Sequence, residues 1–214
     1  MGNTCACCGN DSNKFDKSGQ PLQSQEVLGV ADKAPTPGFH TKAEIGMIGK
    51  GDVQNGDNNS KMDGDEDETI NFEDGSTYQG QVINGKRHGK GIWQSRTGQY
   101  DGQWKDDMQH GSGAQTWSDG RSYKGEFCQG KFSGKGKMEW HTAKGHLTYE
   151  GQYVNDLKEG QGKFSWSDGR HYTGEWLKGK RHGKGVYTNA KGETKKGIWA
   201  QDKFEKWLDE NEAA

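Results

Sequence analysis

Tyr78-Gln79-Gly80-Gln81-Val82, followed by Gly85 and then by His88-Gly89-Lys90-Gly91, is the stretch that decides the fold. The chain writes it five times and begins it a sixth. Tyr100-Asp101-Gly102-Gln103-Trp104 leads likewise to His110-Gly111-Ser112-Gly113. Tyr123, Tyr149 and Tyr172 open three more copies, and Lys195-Lys196-Gly197-Ile198-Trp199 starts a last, partial one without its Tyr. Successive openings lie 22, 23, 26, 23 and 23 residues apart. A fixed period of this size predicts stacked supersecondary units.

Within a copy, Tyr, Gly and a large apolar residue alternate: Tyr123-Gly125-Phe127, Tyr149-Gly151-Tyr153, Tyr172-Gly174-Trp176. Period two puts all three on one face of a strand. Glycine between two rings leaves room for a ring from a neighbouring strand to lie flat. A second run follows a Gly-rich turn, as in Met138-Glu139-Trp140 and Phe164-Ser165-Trp166. Ser118-Asp119-Gly120, Ser167-Asp168-Gly169 and Glu73-Asp74-Gly75 then turn into the next Tyr. Each repeat is therefore expected to be a β-hairpin, and consecutive hairpins to extend one antiparallel sheet. The predicted fold is all-β: an elongated hairpin-repeat ribbon of some eleven or twelve strands, roughly 50–55 Å long at the usual strand spacing. Its core would be a ladder of Tyr78, Tyr100, Trp104, Tyr123, Phe127, Tyr149, Tyr153, Tyr172, Trp176 and Trp199.

Both ends of such a ribbon need protection, because an open sheet edge invites pairing. Thr69-Ile70-Asn71-Phe72 reads as an extra first strand. At the far end, Asp202 with Glu205 three residues later resembles a capping box, and Phe204, Trp207 and Leu208 share one helical face. Residues 203–212 are accordingly expected to form a short capping helix, with a partner-binding helix as the rival.

Composition agrees with a thin fold. Of 214 residues, 35 are Gly and only 28% are hydrophobic, with a mean hydropathy of -1.21. A quasi-one-dimensional array needs no large core, since each unit packs only on its neighbours. The net charge of -2 hides a polarity: 6 Lys/Arg against 14 Asp/Glu in residues 1–77, 21 against 12 in 78–199, and 2 against 5 in 200–214. An acidic head thus precedes a basic array, which points to an anionic partner or to internal masking.

The unit Tyr-x-Gly-x-(Trp/Phe/Tyr/Val)…Gly-x-x-His-Gly-x-Gly resembles the MORN repeat (membrane occupation and recognition nexus) over about 120 residues. Departures are local. Asp107 and Asp156 stand for the middle Gly, Ser133 and Glu159 for the His, and Lys195 for the Tyr, and the third copy has an insertion near Lys144–Leu147. The resemblance implies a non-enzymatic connector between membrane and cytoskeleton, as in junctophilins and organisers of the protist cortex. Similar arrays also accompany plant phosphatidylinositol phosphate kinases, some lysine methyltransferases and radial-spoke head proteins. An accessory module of a lipid-signalling enzyme, or a structural part of a cilium or cytoskeleton, is therefore the alternative.

Ahead of the array, Met1-Gly2-Asn3-Thr4-Cys5-Ala6-Cys7-Cys8 carries a second signal. Loss of Met1 exposes Gly2 for N-myristoylation, although Ala6 stands where the motif has Ser or Thr. One myristoyl chain holds a bilayer only marginally. Cys5, Cys7 and Cys8 are placed to receive palmitate as the second anchor. Three Cys without a matching ligand pair do not make a zinc site. Residues 9–68 contain all three Pro, lack periodicity and read as a disordered acidic linker. Its r.m.s. reach as a flexible coil is roughly 40–45 Å. Asp63-Gly64-Asp65-Glu66-Asp67-Glu68 fails as an EF-hand loop, which needs Gly sixth and Glu twelfth where this chain has Glu68 and Asp74.

No catalytic constellation is visible, and neither metal nor cofactor is expected. His88, His110 and His182 recur at one repeat position, which marks a turn residue, since a catalytic His is needed once. Cys128 reads as a plain strand residue. Lys86, Arg87, Lys90, Lys131, Lys135, Lys180, Arg181 and Lys184 should emerge along one edge, as a basic stripe for anionic lipid or an acidic partner. The expected partners are a membrane, through acyl chains and its anionic phospholipids, and a protein. Nucleic acid is not expected, and a homodimer is left open. The expected location is the cytoplasmic face of a plasma, cortical or ciliary membrane.

Overall fold

Type I′ turns organise the molecule. The structure, a computed structural model, describes residues 67–143 and 145–209. Two consecutive residues with positive φ recur at Asn84 and Gly85 (52° and 73°), Asp106 and Asp107 (50° and 68°), and Asn155 and Asp156 (50° and 68°). The pairs Gln129/Gly130, Lys178/Gly179 and Gln201/Asp202 repeat them. That pair of left-handed residues matches the right-handed twist of two flanking strands and closes a tight hairpin.

Six hairpins result: β2 (Thr77–Ile83) with β3 (Lys86–Ser95), β4 (Gly98–Lys105) with β5 (Met108–Trp117), and β6 (Ser122–Cys128) with β7 (Lys131–Thr142). Then follow β8 (Gly145–Val154) with β9 (Leu157–Ser165), β10 (His171–Leu177) with β11 (Lys180–Thr188), and β12 (Thr194–Ala200) with β13 (Lys203–Trp207). With β1 (Asp67–Asn71) in front, all thirteen strands form one antiparallel sheet in strict chain order. At the opposite edge, Asp-Gly turns join β1 to β2, β5 to β6 and β9 to β10, while β3 and β4 are joined through Arg96-Thr97 and β11 and β12 through Asn189-Ala190-Lys191-Gly192-Glu193. Asp74, Asp119 and Asp168 each accept the N–H two residues on, at 2.8, 3.1 and 3.1 Å.

The expectation of a capping helix over residues 203–212 is not met. Lys203–Trp207 is a strand, and the described residues contain no helix. Asp202, with φ of 71°, is the second residue of a type I′ turn rather than an N-cap. The sixth repeat is therefore a full hairpin. The expected first strand is present at Asp67–Asn71, starting two residues earlier and ending one earlier than Thr69–Phe72, and Phe72 begins the turn after it. The acylation segment and nearly all of the linker lie outside the described residues.

Glycine runs straight across the sheet. Gly80, Gly91, Gly102, Gly113, Gly125 and Gly136 pair in direct register, and the row continues through Gly151, Gly162, Gly174 and Gly185 to Gly197. The ring of each repeat Tyr lies back over this row. A Cβ on Gly91 would meet Tyr78 Cε2 at 2.4 Å. One on Gly80 would meet the Tyr78 hydroxyl at 2.7 Å, so the Gly of the Tyr-Gly alternation lies under its own strand's ring, which also reaches the Gly of the adjoining strand.

Candidate interaction surfaces

The aromatic face is the core. Ring contacts run without a break from Tyr78 to Trp104, Tyr100, Phe127, Tyr123, Tyr153, Tyr149, Trp176, Tyr172 and Trp199, with centroids 4.9–5.5 Å apart and near-perpendicular planes. Edge-to-face pairs add about 0.5–1.5 kcal/mol each beyond their buried area. All the expected ladder residues are buried, and the five tyrosines are at most 1% exposed.

The polar ends of these rings are satisfied within the repeat. Tyr78, Tyr100, Tyr123, Tyr149 and Tyr172 each donate through the hydroxyl to the carbonyl three residues on, at 2.8–3.1 Å. Trp104 Nε1 and Trp176 Nε1 donate to the carbonyls of Gly91 and Gly162. Burial pushes the hydroxyl pKa of Tyr78 and Tyr172 up to about 12, and raises those of Tyr100, Tyr123 and Tyr149 as well.

Each of the first five hairpins also carries a bulge opposite the fourth residue of its repeat. There Gln81, Gln103, Glu126, Gln152 and Glu175 accept the N–H of Lys90, Ser112, Lys135, Gln161 and Lys184 at 2.8–2.9 Å. His88, His110 and His182 sit in these bulges, so their recurrence is architectural. The Nδ1 atoms of His88 and His182 are buried without a hydrogen-bond partner. Their backbone carbonyls face the Tyr78 and Tyr172 hydroxyls at 3.3 and 3.5 Å.

The eight residues of the expected basic stripe divide three ways. Arg87 and Arg181 turn inwards. Arg87 lies 4.3 Å over Trp104 and pairs with Asp107 at 3.2 Å, while Arg181 pairs with Asp202 at 3.1 Å and lies over Tyr172. Lys90, Lys135 and Lys184 stand exposed at the bulges. Only Lys86, Lys131 and Lys180 emerge at the type I′ turns.

Those turns do form one edge, because each bonds to the next. Asp107 N–H donates to the Arg87 carbonyl, Gly130 to Gln109, Asp156 to Phe132, Gly179 to Lys158 and Asp202 to Arg181, at 2.9–3.1 Å. The residue after each turn reads Lys86, Met108, Lys131, Leu157, Lys180, Lys203. Met108 and Leu157, each 40% exposed, interrupt the lysines, and their turns carry the acids Asp106, Asp107 and Asp156. Over its first five turns the edge thus alternates basic with apolar-and-acidic ones, and the sixth combines Asp202 with Lys203. Lys158, which follows Leu157, is 6% exposed and lies 5.1–5.3 Å from the rings of Trp140, Tyr149, Phe164 and Trp176.

A feature that the sequence did not reveal lies on the outer face. Lys124, Lys135 and Lys137 surround a shallow open depression of about 470 Å³ floored by Gly136 and Gly151, with Glu150, Gln152 and Gln161 on its far side. The lysines come from two adjacent strands, Lys124 from β6 and Lys135 and Lys137 from β7, and the pairing register sets Lys124 directly opposite Lys137. Cys128 ends β6, half-buried and free of any disulfide.

Fold and surfaces define a class: a hairpin-repeat ribbon whose rings hold it rigid and whose edges and outer face meet the surroundings. The family model for the MORN repeat matches residues 78–99, 100–120, 123–142, 149–169 and 172–194, which is half of the chain. The chain belongs to the MORN-repeat family, and what matches is repeat, typically non-catalytic. No curated protein matches it.

Proposed function

We propose that the protein is a non-enzymatic membrane-associated scaffold. Gly2 carries myristate, Cys5, Cys7 and Cys8 carry palmitate, and the ribbon is the arm that docks a protein partner at the membrane. The observation that supports this best is the burial of the ring ladder, with all five repeat tyrosines at most 1% exposed. A ribbon packed in this way offers its turn edge and outer face for contact, as a spacer or platform does. The two-signal tip supplies what a single acyl chain lacks, namely durable membrane residence. Anionic phospholipid contributes through Lys86, Lys131 and Lys180, each worth on the order of 1 kcal/mol near a charged surface.

Membrane fractionation of wild type, Gly2→Ala and a Cys5/Cys7/Cys8→Ser variant tests the anchor. The expected result is that both variants become soluble. Retention of both at the membrane overturns the acyl anchor. For the edge, Lys86→Gln, Lys131→Gln and Lys180→Gln together should weaken binding to phosphatidylserine vesicles by about a hundredfold, from the same per-residue magnitude. Arg87 and Arg181 are left intact because they belong to the core.

A further inference from the structure

The third repeat departs from the others at the edge opposite the type I′ turns. Pairing of β5 with β6 stops at Thr116 and Ser122, and that of β9 with β10 at Ser165 and His171. Between β7 and β8 it runs further, to Thr142 and Gly145. The extension sets His141 directly opposite His146, with the rings stacked 4.6 Å apart at 21°. Glu139 lies two residues before His141 and so on the same face. Its Oε2 is 3.9 Å from His146 Nε2, and one ligand atom from each of the three lies within 4.8 Å of the others.

Two imidazoles and a carboxylate are the donor set of a borderline divalent ion, and three protein ligands leave a position open. We propose that Glu139, His141 and His146 bind a zinc-class divalent cation on the outer face, its remaining positions taken by water. Zinc–ligand bonds of about 2.0–2.2 Å require the donor atoms to draw closer than they stand here. Both histidine side chains are exposed and free to rotate inwards. Glu139 is already oriented: Lys137 holds Oε1 at 2.6 Å and leaves Oε2 on the histidine side. The pairing of β3 with β4 also runs down to a two-residue connection, at Ser95 and Gly98, but it stops four residues past the glycine row, against six here.

The test is a Zn2+ titration of the full chain with Cys5, Cys7 and Cys8 replaced by Ser, which removes competing thiols, followed by NMR of the histidine rings. One equivalent should shift the His141 and His146 rings and leave His88, His110, His171 and His182 in place. His141→Ala and His146→Ala should each weaken binding at least about tenfold, the scale on which even the outer partners of a ligand act. Glu139→Gln should weaken it less than either. All three residues are on an outer face, and a thermal melt confirms that the variants stay folded. Unmoved His141 and His146 rings in large Zn2+ excess, or wild-type affinity in both alanine variants, would overturn the site.

Discussion

The working unit at the residue scale is one Tyr over two Gly. Tyr100 lies across Gly102 of its own strand and Gly113 of the next, and its hydroxyl closes on the Gln103 carbonyl at 2.8 Å. Gly113 does not have positive φ, so its requirement is purely steric. A Cβ there would sit 2.6 Å from the Tyr100 hydroxyl, inside a wall of buried rings. Gly113→Ala is therefore expected to cost about 1–3 kcal/mol, the usual penalty for overfilling a packed site. Tyr100→Phe loses one hydrogen bond, about 1 kcal/mol, and should be the milder change in thermal melts of the two variants. The same burial predicts an alkaline limit. Folded Tyr78 keeps its proton up to about pH 12, whereas an unfolded tyrosine releases it near 10. Between those values the unfolded state binds fewer protons, so stability falls as pH rises, by about 1.4 kcal/mol per pH unit for each such tyrosine. The five hydroxyls should thus ionise together with unfolding, in one steep step of tyrosinate absorbance. Gradual ionisation with circular dichroism unchanged would contradict this. The Tyr–Gly alternation was legible in the sequence because period two fixes the face. Which ring covers which glycine was not, since that depends on how far a side chain leans along its own strand.

At the scale of the element, the type I′ turn shows how a substitution becomes a staple. Asp107 replaces Gly at a φ of 68°, a conformation that disfavours most side chains. It is kept there because its Oδ1 accepts the Arg87 N–H at 2.9 Å and Arg87 Nε at 3.2 Å. Asp156 and Asp202 do the same for the N–H of Phe132 and Arg181. Two effects therefore oppose each other in Asp107→Gly. Glycine relieves about 1 kcal/mol of backbone strain, while hydrogen bonds to a charged group are worth about 1.5–3 kcal/mol. With Asp107 partly exposed, the expected balance is a net loss of about 1 kcal/mol by chemical denaturation, with Asp107→Asn falling between wild type and Gly. Asp107→Gly more stable than wild type would refute the staple. The same turn explains the misread C-terminus. Gln201-Asp202-Lys203-Phe204 repeats the turn at Asn155-Asp156-Leu157-Lys158, yet Asp followed by Glu205 also fits a helix start. Both signals are local, and the choice between them is made by Arg181 on the preceding hairpin, whose N–H Asp202 accepts at 3.0 Å.

On the scale of the whole molecule, strict chain order means that every strand pairs only with its sequence neighbours, and ring contacts reach no further than the strand beyond. The repeat count was legible, because a period survives local change. The arrangement of surfaces was less so: whether a Lys faces solvent or rings depends on its offset from a turn, and Lys86 and Arg87 are adjacent yet diverge. Stability in such an array is a sum of unit and nearest-interface terms, so damage should stay local. Trp104 joins the first two tyrosines, 5.4 Å from Tyr78 and 5.1 Å from Tyr100, and also ties the Gly91 carbonyl. Trp199 joins Tyr172 to the last hairpin through Phe204 and Trp207, which are 46% and 42% exposed. Truncating either Trp to Ala should cost about 3–5 kcal/mol at its own interface. By hydrogen exchange, Trp199→Ala is expected to release β12 and β13 while β2 to β9 keep wild-type protection. Trp104→Ala should release β1 to β4 and leave β8 to β11 protected, splitting a single thermal transition into two. Uniform loss of protection in both variants would mean that the sheet unfolds as one globular unit. In that case its rigidity would not come from the ring ladder link by link.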